Sequence, residues 1–220
     1  MGLLSSMVLL GILASIDPLR PAVFALVLST KRPNALAFLA GWAVALSLLF
    51  GLAFVALGGD ATNAPASSRQ TWASVLLLLI GVGLLAVAAR RWMHRHEGEE
   101  RSVVPNSLAR RLDHLDLRHA AGLGVLIQPR SLTIAAALVC ARDRTDALDL
   151  VIGFMLFAAA STIALIGLLI YDLRQPAESQ YGLTQILASI ERQGPLLVTI
   201  ASAVGGIYLT VNSLLSLVGN

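Results

Sequence analysis

The chain has 220 residues, of which 56% are hydrophobic and only 13% charged, with a mean hydropathy of +0.77 and a formal net charge of +3. A soluble domain of this length needs far more surface charge, so the composition excludes that class and points to an integral membrane protein. A single cysteine, Cys140, rules out an internal disulfide or dithiol pair.

Six apolar segments follow in order, at about 3–28, 35–58, 71–91, 119–140, 147–171 and 195–218. Each is long enough to cross roughly 30 Å of hydrocarbon as a helix. The runs are continuously apolar and do not alternate, which argues against a barrel. No basic region precedes Leu3 and the first run is too long for a cleavable signal, so it reads as a span.

The first span carries "ASIDPLRPA" at residues 14–22, two prolines and two opposite charges about 15 Å deep. Proline breaks a helical ladder but suits the first position of a new helix. Asp17 before Pro18 therefore reads as an N-cap. The fourth span repeats the break at Pro129, with Gln128 as a weaker cap. Helices 1 and 4 are thus expected to be pairs of half-helices that meet near the midplane. Spans 3 and 6 carry "IGVGLLAVAA" and "ASAVGGIYL", whose small residues let helices approach closely.

The connections differ. "STKRPN" and "ARDRTD" are short turns, and "GGDATNAPASSRQ" is a polar linker. The stretch 92–118 is long and highly charged, with Leu108, Leu112, Leu115 and Leu117 suggesting a short amphipathic surface helix. A second such helix is expected at 183–192. Arg69, Arg142 and Arg144 lie on the amino-terminal side, against eleven basic residues from Lys31 to Arg192 on the other. The positive-inside rule then makes 92–118 a cytoplasmic loop and places both termini outside.

The two halves resemble each other weakly. Pro18 matches Pro129, Arg20 loosely matches Arg130, Asn34-Ala35-Leu36 matches Asp146-Ala147-Leu148, and Gly41 matches Gly153. Three spans per half is odd, so the second half enters the membrane upside down. The expected architecture is an all-α integral membrane protein of six transmembrane helices in two inverted three-helix repeats, 1–91 and 119–220, joined by the loop 92–118.

Two half-helix starts of this kind expose backbone donors and positive dipole ends in the bilayer interior. With Arg20 and Arg130 the centre becomes positive, offset in part by Asp17. An arginine at this depth costs at least about 2.5–3.5 kcal/mol on insertion scales, which argues for use as an anion site formed by Asp17, Pro18, Arg20, Gln128, Pro129 and Arg130. Alternatively, Asp17 only caps a kinked helix and pairs with Arg20, or carries a proton. Ser47, Ser161, Thr162, Tyr208 and Asn212 are candidates for a polar path, or for interhelical hydrogen bonds.

His94, His96, Glu97, Glu99, Glu100, His114 and His119 read better as a solvated basic loop beside lipid headgroups than as a metal site. Cys140 reads as an apolar filler. No nucleotide loop, nucleophile elbow or zinc motif is present, so neither an enzyme nor a cofactor is expected, nor a nucleic-acid partner.

The stretch "ASIDPLRPAVFALVLSTKRPNALAFLAGWAVAL" resembles the start of the GAP and Sap proteins, the peptidoglycolipid and sulfolipid addressing proteins of the lysine-exporter superfamily. The likeness is sharp around 14–42, where Asp17, Pro18 and Arg20 match the motif. It implies a bacterial plasma-membrane component that moves cell-envelope glycolipids, with large lipid exporters and lipid-assembly enzymes as partners. The thiol carriers of that superfamily place cysteines beside the prolines; Asp17 and Gln128 stand there in this chain. The expected function is therefore export of an anionic amphiphile. The alternatives are export of small amino-acid-like solutes or ions, and a scaffold that recruits lipid-synthesis enzymes. A homodimer fits the limited enclosure of six short helices.

Overall fold

The computed structural model describes residues 2–56, 66–93, 115–143, 146–174 and 179–218. Their regular structure is helical: α1 Leu3–Ser15, α2 Leu19–Thr30, α3 Arg32–Phe54, α4 Ala66–Met93, α5 Leu117–Leu126, α6 Arg130–Arg142, α7 Ala147–Arg174 and α8 Ser179–Val218. Four helices are long and apolar enough to cross a membrane alone. The pairs α1–α2 and α5–α6 qualify as bent units, at 60° and 61°. Pro18 and Pro129 stand at these bends, where each lacks the N–H that would continue the preceding helix.

Contacts at both ends of the bundle show that each bent pair runs its full length. At one end, Arg32 Nε donates to Asp172 Oδ2 at 2.8 Å, near the close of α7. There too, Asn34 Nδ2 donates to the Leu115 carbonyl at 2.9 Å, just before α5. At the other end, Met7 Sδ lies 4.0 Å from Cys140 Sγ, and a Cβ on Gly153 would lie 3.3 Å from Met7. From Gly153 to Asp172, α7 rises about 28 Å, close to the hydrocarbon thickness of roughly 30 Å. Hence α1–α2 runs from the Met7 end to the Arg32 end, and α5–α6 runs back. With α3, α4, α7 and α8 this gives up to six candidate membrane spans among the described residues, counting each bent pair as one.

Packing partners exchange between the halves. α1 packs along α7, and α5 along α3. α2 touches α7 and α8, as α6 touches α3 and α4, and α4 and α8 pack on each other. The closest seams need glycine: a Cβ on Gly41 would overlap the Ala121 carbonyl, and one on Gly124 the Phe38 carbonyl. Such backbone proximity is the means by which helices associate in lipid.

Two apolar clusters stack along the bundle. One, towards the Met7 end, holds Leu10, Leu46, Phe50, Ala135–Cys140 and Phe157. The other, towards the Arg32 end, holds Ala22–Ala25, Val27, Phe38, Trp42 and Leu165. Residues 22–25 of α2 and 135–140 of α6 are almost wholly buried, so the two second half-helices form the core. Outward faces such as Leu48 and Leu52 on α3 are exposed and apolar, as lipid contact requires. Trp72 and Trp92, both exposed, stand about 30 Å apart on α4, the spacing of two interfaces.

α8 differs from expectation. It is one helix of 40 residues, so the separate surface helix expected at 183–192 is its continuous first part. Extending a formed helix costs less than nucleating another. Leu108 and Leu112 of the other expected surface helix, with His94, His96 and His114, lie outside the described residues. Leu115 is half-buried, while Leu117 and His119 are exposed at the start of α5.

Candidate functional site

The α1–α2 break is built around Asp17. Its Oδ1 accepts the Leu19 N–H at 3.1 Å, which ties up one orphan donor of α2. Pro18 has helical angles, φ −70° and ψ −22°, and its missing N–H costs nothing in a first turn. The other carboxylate oxygen, Oδ2, lies 3.2 Å from Arg20 Nη2. Arg20 Cζ stands 5.5 Å from the centroid of the Trp42 ring, a cation–π distance.

Arg20 is 5% exposed, whereas the Asp17 side chain is 38% exposed. Nε and Nη1 of Arg20 are buried with no hydrogen-bond partner among the described residues. A guanidinium carries five donors and no acceptor, and leaving buried donors unmet is costly. Asp17 and Trp42 thus hold the group on two sides and leave donors pointing at nothing. An oxyanion is what such donors take.

The α5–α6 break is built differently. Pro129 has φ −76° and ψ 67°, and the Arg130 N–H donates back to the Gln128 carbonyl at 2.9 Å. This is an inverse γ-turn. Gln128 does not cap α6: its Nε2 donates across to the Trp42 carbonyl at 2.7 Å, and its Oε1 is buried without a partner among the described residues. The expectation of a glutamine cap is corrected, because the amide donor finds a free carbonyl lone pair on α3. Thr133 Oγ1, one turn into α6, is also buried with no partner among the described residues.

Arg130 and Ser131 are exposed. Arg20 and Arg130, expected at one centre, differ in burial: one guanidinium is enclosed and the other is exposed.

Trp42, 1% exposed, joins the two breaks. Its ring lies under Arg20, its carbonyl accepts from Gln128, and its Nε1 donates to Thr162 Oγ1 at 3.2 Å on α7. Sequence reading passed it over. The available signal was its place ten residues beyond Arg32 in the middle of a span, whereas Trp72 and Trp92 stand near span ends. Of the path candidates, Thr162 joins this layer, and Ser161 is buried and bonds the Ala158 carbonyl at 3.0 Å. Ser47 does not: it is exposed and bonds its own helix at Ala43, a cheap way to satisfy a hydroxyl facing lipid. The Tyr208 hydroxyl pairs with Ser6 towards the Met7 end, and Asn212 is half-buried.

Among the described residues, no group of three or more side chains could hold a metal ion. The family model described as Sap, sulfolipid-1-addressing protein, matches residues 7–214, nearly the whole chain. No curated protein and no solved structure matches it.

Proposed function

The chain belongs to the sulfolipid-1-addressing protein family, and on that premise we propose that it moves an amphiphile with an anionic head, such as a cell-envelope glycolipid, across the plasma membrane. The single observation that carries this reading is the buried Arg20, whose Nε and Nη1 are unmatched at the start of a mid-depth helix. Trp42 and Asp17 position it, and the incoming oxyanion competes with the Asp17 carboxylate for the guanidinium.

Alternating access is the motion in this reading. The exchanged packing of α1 on α7 and α5 on α3 supports two inverted halves. Polar ties close both ends: Arg32–Asp172 between the halves and Asn34 to Leu115 of the connecting loop at one, Tyr208–Ser6 and Ser74–Ser216 between the halves at the other. Rocking the halves releases one set while the other holds. The Arg32 end faces the cytoplasm, on the eleven-to-three bias of basic residues.

The direct test is transport by the protein reconstituted in vesicles, with lipid analysis of a deletion strain to name the substrate. Arg20→Ala abolishes movement of an anionic amphiphile while the protein still folds. Wild-type transport by that variant removes Arg20 from the path. If instead Asp17 and Arg20 variants are harmless and deletion of 92–118 is not, the scaffold reading holds. For orientation, a cysteine at Ser67 reacts with an impermeant thiol reagent on intact cells and one at Ser102 does not; the opposite pattern inverts the topology.

A further inference from the structure

Arg130 is a charged side chain in an unusual place. Gln128 bonds the carbonyl of Trp42, which lies about 15 Å along α3 from Arg32. The break is therefore near half depth, and Arg130 follows it by two residues. Its neighbours describe the surface it shares. Val125 and Leu126, before the break, are exposed apolar side chains, and Arg130 and Ser131, after it, are exposed polar ones. From Thr133 to Cys140, α6 turns inward and is buried except at half-buried Ile134.

The Arg130 guanidinium has no hydrogen-bond or ion-pair partner among the described residues. The residue in the place of Asp17 is Gln128, uncharged, and its amide is committed to Trp42. From half depth the arginine side chain is too short to snorkel to either interface. An exposed cation at this level calls for water or a counter-anion, and no described residue supplies the anion.

We infer that Arg130 is a bilayer-facing contact for the oxyanion of an amphiphile, placed at half depth where a headgroup passes between the lipid and the protein interior. An amphiphile fits better than a free anion, because its tails cover exposed Val125 and Leu126 while its head meets Arg130 and Ser131. The inference deepens the proposed function and rests on it. It assigns the two arginines separate steps: Arg130 receives the head from the lipid side, and Arg20 holds it inside.

The test uses the full chain in nanodiscs of phosphatidylcholine with a graded fraction of phosphatidylglycerol, read by thermal unfolding. Phosphatidylglycerol raises the melting temperature of the wild type, and inorganic phosphate in the buffer does not. Arg130→Gln needs about tenfold more phosphatidylglycerol for the same rise, and Arg130→Lys falls between. A label on Arg130→Cys in a Cys140→Ser background is quenched by lipid-borne more than by water-soluble quenchers. Equal response of Arg130→Gln and wild type overturns the inference, as does equal protection by inorganic phosphate. Predominant quenching from water overturns it as well, by making the site an aqueous crevice. Where Arg130→Gln binds normally but Arg20→Gln has lost transport, this inference fails and the proposed function stands. Where both variants transport normally, both fall.

Discussion

The α1–α2 break and the α5–α6 break have nearly the same bend, 60° and 61°, and the same residue at the corner. Their electrostatics are opposite. The first has a carboxylate that bonds the start of α2 and meets an enclosed arginine; the second has an amide bound elsewhere and an exposed arginine. The bend therefore follows from the proline backbone and does not depend on the charges beside it. Helical phase explains the arginines. Each proline precedes its helix, but Arg20 is the second residue of α2, whereas Arg130 is the first of α6. One residue turns a side chain by about 100°, enough to separate a buried position from an exposed one.

The sharpest way to break this comparison is to remove the arginines one at a time. Arg20→Ala lowers transport by at least about a hundredfold, since it deletes the charged donors buried beside Trp42. Arg20→Lys restores part of it, because an ammonium lacks the planar fork. Arg130→Ala lowers transport by about tenfold in the same vesicle assay. Equal losses would make the two arginines one site after all.

Glycine seams give the next largest effect. Gly41→Val or Gly124→Val drives a side chain into a carbonyl across the α3–α5 contact and destabilises the protein by about 1–3 kcal/mol. Gly122→Val, where space is open, leaves the melting temperature unchanged.

The caps should differ more modestly. Asp17→Ala removes the bond to Leu19 and costs about 1 kcal/mol, and more where Arg20 is left unpaired. Gln128→Leu removes one bond to Trp42 together with an unmet oxygen, so unfolding by heat or denaturant shifts little. A larger loss at Gln128 than at Asp17 would reverse the assignment of a structural cap to the first break. The smallest effect is that of Ser47→Ala, which leaves transport and stability as they are, since Ser47 faces outward and bonds only its own helix.

Much of the fold was legible beforehand because lipid leaves the backbone few choices. Apolar runs of spanning length have to be helices, and Pro18 and Pro129 had to interrupt theirs. The pairing of Asp17 with Arg20 was legible as well, being local at i and i+3. Three features were not. The fate of Gln128 depends on a carbonyl 86 residues away. Trp42 looked like any apolar residue until Arg20, Gln128 and Thr162 converged on it. Arg130 was paired with Arg20 by alignment, and alignment does not carry helical phase.

By itself, then, the sequence determined the class of molecule, the apolar helical segments and the two places where one of them breaks, since each follows from backbone hydrogen bonding in a medium without water. Only tertiary structure decided which arginine is enclosed, which side chain joins the breaks, and which hydroxyls face inward. Those outcomes depend on how far each helix is rotated when it packs, and that rotation is set by contacts between residues distant in the chain, such as Gly41 with Ala121 and Gly124 with Phe38.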